Sequence, residues 1–269
     1  EFGVRTLFSS PTAIRVLKKQ DPSWITRHDL SAFKWLFLAG EPLDEPTATW
    51  ISGILGRPVI DNYWQTETGW PVLALQPGLD LKPVKLGSPG LPNLGYRLRL
   101  INEVSGEECG PGEKGVLTIV PPLPPGCLST VWGDDARFRQ GYFGHFKETL
   151  YSSLDWAIRD EDGYYFILGR TDDVINVAGH RLGTREIEEA VSGCPLVAEA
   201  AVIGAADEIK GQVPVVFAML KQGGAEADRR AAADAMRRQV EDQLGAVARP
   251  ARVYVVDGLP KTRSGKVLR

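Results

Sequence analysis

Residues 61–69 read Asp61-Asn62-Tyr63-Trp64-Gln65-Thr66-Glu67-Thr68-Gly69. The stretch sets an aromatic platform, a hydroxyl and a carboxylate at adjacent positions. Such a loop can stack a purine, bond a phosphate and hold Mg²⁺. Taken alone, it reads better as an aromatic-rich loop packed on its own core. Its neighbours shift that reading. Upstream, Phe33-Lys34-Trp35-Leu36-Phe37-Leu38 is an expected buried strand that ends in Ala39-Gly40-Glu41-Pro42. A helix is expected from 45 towards 54, then a short strand over 57–60 leading into the loop. This order suits an α/β layer with functional loops at strand ends. Further upstream, Ser10-Pro11 reads as a helix N-cap with proline at the first helical position.

The bulk numbers bound the rest. The 269 residues allow two domains. Hydrophobic residues make up 43% and charged residues 24%, an ordinary globular mix. A net charge of −3 points to no large basic surface for nucleic acid or anionic lipid. No apolar run approaches the roughly 20 residues of a membrane span. Cys109, Cys127 and Cys194 are odd in number and far apart, which argues against disulfides or a zinc site and suits a reducing cytoplasm. His28, His145 and His180 lack ligand spacing and read as packing or surface residues.

From residue 87 the texture becomes short β-like runs, at 97–101, 115–120 and 164–168, with a turn over 121–126. Asp160-Glu161-Asp162-Gly163 reads as a hairpin turn with solvated acids. Beyond a boundary near 169–173, strands are expected at 174–177, 198–203, 213–220 and 252–256. Helices are expected at 184–191 and 227–244. The longer one carries Ala233, Met236, Val240 and Leu244 on one face and stops at Gly245.

Three further places could carry chemistry. Asp155 stands fifteen residues before Arg170. A carboxylate can accept from both ribose hydroxyls, and an arginine can reach a ribose or a phosphate; otherwise the two are a surface ion pair. Val177-Ala178-Gly179-His180-Arg181 offers close backbone approach at Gly179 and a cation at Arg181. The end, Lys261-Thr262-Arg263-Ser264-Gly265-Lys266, is a basic glycine-containing loop that can wrap an anion, and alone it reads as a solvated tail.

Taken together and in order, these segments resemble the motifs of the adenylate-forming acyl-CoA synthetases, from end to end of the chain. The resemblance implies an α/β large-domain remnant with a β-rich subdomain, followed by a small α+β C-terminal lid. The expected division is 1–171, the C-terminal part of an AMP-binding large domain, and 172–269, a mobile domain. It implies an acid–thiol ligase that forms an acyl-adenylate from a short-chain carboxylate and ATP, then passes the acyl group to coenzyme A. Propionate is the expected acid. Gly40, Glu41 and Pro42 would line the adenine and phosphate side. Tyr63 would stack on adenine, Asp61, Asn62 and Gln65 would bound it, and Thr66 would touch the α-phosphate. Glu67 matches a Mg²⁺-associated acid, Asp155 and Arg170 the ribose pair, Asp172 a hinge, and Arg181 an arginine near the phosphates. Gly179 matches a glycine facing coenzyme A, and Lys266 the adenylation lysine, a target for a lysine acetyltransferase and deacetylase.

Ala39 and Trp64 would shape the acyl pocket. Longer-chain relatives carry Gly at the position of Trp64, so an indole there would close the tunnel after a few carbons. Acetate enzymes carry Val where Ala39 stands. Two other readings stay open: an acetate-preferring ligase, and a non-catalytic nucleotide-binding fragment. The second arises because the family's Thr/Ser/Gly-rich phosphate loop is not in this sequence, so the chain is expected to match only the C-terminal part of such an enzyme and to be inactive alone. Leu154 and Trp156 also flank Asp155 where many members have small residues, often Thr-Gly-Asp.

Overall fold

Ser10 begins the first helix as its chemistry dictates. Its hydroxyl accepts the Ala13 N–H at 3.3 Å, and Pro11 supplies a fixed φ at the first position of α1 (Pro11–Lys18). The computed structural model describes residues 2–41, 43–80, 82–221, 226–261 and 267–268, without the side chains of 226 and 227. Pro42 and Lys266 lie outside the described residues. The chain divides into two compact units, Glu1–Ile167 and Leu168–Arg269.

In the first unit, β1 (Thr6–Ser9) precedes α1, and the short α2 (Ser23–Thr26) leads to β2 (Trp35–Ala39). Helix α3 (Glu45–Leu55) then returns the chain to β3 (Val59–Tyr63). Asp44 caps α3 by accepting the Thr47 N–H at 2.9 Å, and Gly56, at φ +59°, ends it. β1, β2 and β3 are parallel, and β4 (Leu73–Ala74) closes the sheet antiparallel to β3. Leu36, Leu38, Ile51 and Val59 pack between this sheet and the helices. β3 is longer than the sequence suggests. Asp61, Asn62 and Tyr63 belong to it, because Asn62 sends its amide to the carbonyls of Leu38 and Ile60, both at 3.1 Å.

A second sheet has the order β5 (Leu98–Ile101), β6 (Lys114–Ile119), β7 (Tyr151–Arg159), β8 (Tyr165–Arg170). Helix α4 (Asp135–Phe143) lies between β6 and β7 in the chain. β7 is absent from the sequence reading. It is buried on both faces, so it has no alternation to detect, and its middle is irregular. Thr118 pairs with Ser152 and Val116 with Trp156, which leaves Ser153, Leu154 and Asp155 opposite Leu117 alone. This bulge is held by Ser153 Oγ, which donates to Leu117 O at 2.8 Å and accepts the Asp155 N–H at 3.2 Å. Bulges of this kind re-aim a side chain.

The turn at 160–163 forms as expected, with the Tyr164 N–H on Asp160 Oδ1 at 2.9 Å and Gly163 at φ +86°. Its acids are not merely solvated. Lys85 reaches Asp160 and Asp162, both at 2.5 Å, a pairing across 75 residues and more that local sequence does not reveal.

In the second unit, β9 (Val174–Val177) and β10 (His180–Gly183) form a hairpin, followed by α5 (Thr184–Ser192). Then come β11 (Val197–Asp207), β12 (Gly211–Leu220), α6 (Glu226–Leu244) and β13 (Arg252–Val255). The sheet order is β10-β9-β12-β11, with β13 parallel to β12. Met236 and Val240 of α6 are fully buried with Ile187, Val202 and Val216. Each such side chain contributes about 1.5–3 kcal/mol. Gly245, at φ +84°, ends the helix as expected. β10 was not expected. Val177 pairs with His180 across a two-residue turn, with φ +48° at Ala178 and +86° at Gly179. Positive φ at both central residues marks the turn that matches strand twist. No helix among the described residues is long and apolar enough to cross a membrane.

Candidate active site

The end of β3 and the β7 bulge bring three polar side chains together in the first unit. Tyr63 Oη donates to Asp155 Oδ2 at 2.5 Å, and Gln65 Nε2 donates to the same oxygen at 2.8 Å. Gln65 Nε2 also donates to Ser153 O at 2.6 Å, while its Oε1 accepts from Tyr151 Oη at 3.4 Å. The three bonds of Gln65 fix which way its amide points, since a flip would turn its oxygen onto a carboxylate and a carbonyl. Asp155 is 7% exposed. Burial raises the Tyr63 phenol well above its ordinary pKa, and the Asp155 charge raises it further. Tyr63 is therefore a neutral donor, half-buried against the cluster around Val72 and Leu73.

Thr66, Glu67 and Thr68 form one turn of 3₁₀ helix directly after Gln65. Glu67 is pinned from α4, with Tyr142 Oη donating to its Oε1 at 2.8 Å. The Tyr142 ring stacks on Tyr151 at 5.2 Å and 5°. Tyr142, Tyr151 and Ser153 were missed by sequence reasoning, and no local signal marks them. Only the fold carries α4 and β7 to this loop.

The turn after β2 is tied back to the first helix. Gly40 has φ +97° with open space where a Cβ would stand. Glu41 is tied to α1: its Oε1 accepts the Thr12 N–H at 3.0 Å and its Oε2 accepts Arg15 Nη1 at 2.7 Å. Ala39 is buried at the end of β2, in register with Asn62. Trp64 is 42% exposed, with its ring edge-on to Phe8 at 6.5 Å. Asp61 accepts the Asn62 N–H at 2.9 Å.

In the second unit, Arg170 binds Asp172 through two parallel bonds, Nε to Oδ1 and Nη2 to Oδ2, both 2.9 Å. The guanidinium holds the Asp172 carboxyl below its usual range. The two residues assigned separately to ribose and hinge thus form one pair. Arg181 Nη2 donates to Thr171 O at 3.0 Å, which folds β10 back over the same segment. Gly179 stands at the hairpin tip with open space where a Cβ would stand.

An AMP-binding enzyme family model matches residues 1–123, and one for the AMP-binding enzyme C-terminal domain matches residues 186–266. The chain belongs to the AMP-binding enzyme family. Over its whole length it is 59% identical to the propionate–CoA ligase of Salmonella typhimurium and 57% identical to that of Escherichia coli. It spans 43% of the length of each of these curated relatives. An anthranilate CoA ligase solved in complex with anthranoyl-AMP superposes with a TM-score of 0.79 at 27% identity, over 99% of this chain and 49% of that one. The AMP-binding match contains the Ala39–Glu41 turn and the Trp64 loop. Asp155, Arg170, Asp172 and the Gly179 hairpin lie between the two matched spans.

Leu154 shows what this AMP-binding chain does locally to hold Asp155. It sits at φ +59°, in the left-handed region, where a side chain costs on the order of 1–2 kcal/mol. The small residue common at this position elsewhere in the family avoids that cost. Leu154→Gly is expected to stay within about 1 kcal/mol of the parent, because lost packing offsets relieved strain. Leu154→Val, β-branched at positive φ, is expected to lose about 1–2 kcal/mol. Urea unfolding of both variants checks this; the opposite order would remove the strain argument.

Proposed function

We propose that the chain serves an AMP-forming ligase joining a short-chain acid, propionate, to coenzyme A. The observation that carries this reading is 59% identity along the whole chain to a propionate–CoA ligase, Trp64 loop included. In the first half-reaction a propionate oxygen attacks the α-phosphorus of ATP. The bond to the β-phosphate breaks and pyrophosphate leaves. In the second, the coenzyme A thiolate attacks the acyl carbon and AMP leaves.

The geometry supports a division of labour. The Tyr63 hydroxyl is committed to Asp155, so its ring face is what it offers to adenine. Asp155 and Arg170 would take the ribose, and Gly40, Glu41, Pro42, Asp61 and Gln65 would bound the base. Asn62 spends its amide on backbone carbonyls, which supports a positioning role. Thr66 and Arg181 would meet phosphates. Among the described residues no cluster of three or more His, Cys, Asp or Glu side chains could cage a metal. Mg²⁺ would arrive with ATP, and Glu67, held by Tyr142, would take one of its positions. Bound there, the ion would neutralise phosphate charge. Asp172 would be the hinge of the small domain and Gly179 would face coenzyme A. Cys109, Cys127 and Cys194 are all free thiols, which supports a cytoplasmic setting. Acetylation of Lys266 by a lysine acetyltransferase would remove the charge that adenylation needs.

Propionate-dependent ATP–pyrophosphate exchange by the full-length gene product tests the reading. Exchange with propionate above acetate and butyrate is expected; none with any of the three would overturn it. Acyl choice has its own test. Ala39→Val is expected to shift preference towards acetate, and Trp64→Gly to admit longer acids. One methylene in an apolar pocket is worth ~1–3 kcal/mol, so kcat/KM ratios should move about 10–200-fold. An unchanged ranking in both variants would sink the assignment.

A further inference from the structure

Glu41 stands in the turn assigned to the nucleotide, yet its side chain is committed to helix α1. Its Oε1 accepts the Thr12 N–H at 3.0 Å and its Oε2 accepts Arg15 Nη1 at 2.7 Å. The first N–H groups of a helix have no partner within it. In α1, Pro11 has none to give and Ser10 takes that of Ala13, so the Thr12 N–H is answered from 29 residues away. A carboxylate is also favoured at that end by the helix dipole.

Arg15 fastens both ends of the same turn. Nη1 holds Glu41, and Nε holds Asp44 Oδ2 at 2.9 Å. The other oxygen of Asp44 caps α3. One guanidinium therefore ties the exit of β2 and the start of α3 to α1. Lys18, one turn further along α1, adds a bond from Nζ to Pro46 O at 3.0 Å. The planar fork of arginine presents its N–H groups at fixed angles and can serve two carboxylates at once; the ammonium of a lysine, on a flexible stem, fixes neither direction. Without a cation between them, these two acids repel each other.

Between the tied ends lies the part of the turn that a ligand can approach. Ala39 is buried in register with Asn62, and Gly40 stands at φ +97° with open space where a Cβ would be. A backbone bare of side chain allows close approach. Each Glu41 oxygen already holds a donor, so what the turn offers a nucleotide is main chain.

We propose that Arg15 is a positioning residue for the nucleotide, acting through Glu41 to set the main chain of Gly40 and Glu41 against it. The proposal rests on the ligase reading and adds a residue that none of the site motifs contains. Calorimetric titration of the full-length gene product with AMP tests it, with the folding of each variant followed by circular dichroism. Arg15→Met is expected to weaken AMP binding about tenfold, the size of one charge-assisted hydrogen bond. Glu41→Gln is expected to weaken it by a similar factor, and the double variant no further, because the two residues act in series. Arg15→Lys keeps the charge and loses the fork, so it should fall between the parent and Arg15→Met. Undiminished affinity in a folded Arg15→Met, or losses that multiply in the double variant, would overturn the proposal. If Arg15→Met does not fold, undiminished affinity in Arg15→Lys overturns it instead. An unaltered gene product that exchanges and binds AMP while its Arg15 variants bind equally well sinks this inference alone. One that neither exchanges nor binds AMP sinks the ligase reading with it.

Discussion

Asp155→Ala is expected to lower the free energy of unfolding by about 2–4 kcal/mol, because it removes a buried carboxylate that two donors share and strands one of them. Tyr63 Oη and Gln65 Nε2 both point at Asp155 Oδ2, at 2.5 and 2.8 Å. Gln65 keeps Ser153 O, but the Tyr63 hydroxyl loses its acceptor inside a half-buried site. Urea unfolding measures the loss, and an unaltered midpoint would remove Asp155 from the architecture of the site. A second readout separates charge from packing. The Tyr63 phenol is raised above its ordinary value near 10 by burial first and by Asp155 next. A raised pKa contributes stability that is complete below the unfolded value and is lost as pH rises through the folded one. In the parent, stability from this group should therefore fade only in strong alkali. In Asp155→Asn the tyrosine titration should move down towards its ordinary range, followed by phenolate absorbance.

Lys266→Ala is expected to slow propionate-dependent ATP–pyrophosphate exchange about 10²–10³-fold, the size of effect seen when one preorganised charge partner of a transition state is removed. The physical demand is plain: two anions, a carboxylate and a triphosphate, must come into bonding distance. At 4 Å and an effective dielectric of 20, each pair of unit charges repels by about 4 kcal/mol, so an ammonium between them changes the barrier directly. Lys266→Gln, which mimics acetylation, should behave like alanine. Lys266→Arg keeps the charge but replaces a compact ammonium with a planar fork, so it should recover only part of the rate. Transfer from preformed propionyl-adenylate to coenzyme A should be spared in all three. Intact exchange in Lys266→Ala would discard the assigned role, and equal loss of both half-reactions would mean the substitution damages the fold.

Much of the fold was legible because its signals are local. Ser10-Pro11 begins a helix through the neighbouring backbone alone. Met236, Val240 and Gly245 announce the buried face and the end of α6 through a period and a left-handed residue. The Asp160–Gly163 turn follows from its own side chain and glycine. β7 escaped for the converse reason. Burial on both faces erases alternation, and the bulge at Ser153–Asp155 depends on a bond to Leu117 in the neighbouring strand. Lys85 escaped too, since nothing near it in the chain points to Asp160 and Asp162.

The site divides along the same line. By itself the sequence determined the kind of protein: the order and spacing of the Gly40, Trp64, Arg170, Gly179 and Lys266 segments identify the family, because each motif is a run of adjacent residues. What only the tertiary structure decided is which groups answer which. In sequence Asp155 stands fifteen residues before Arg170, and the resemblance gives both to the ribose. The fold binds Asp155 to Tyr63 and Gln65 across 92 and 90 residues, and binds Arg170 to Asp172. Glu41 likewise answers to Arg15, and Glu67 to Tyr142. Hydrogen bonds act over about 3 Å of space whatever the separation along the chain. A motif can therefore carry a residue's chemical type, but only packing supplies its partner.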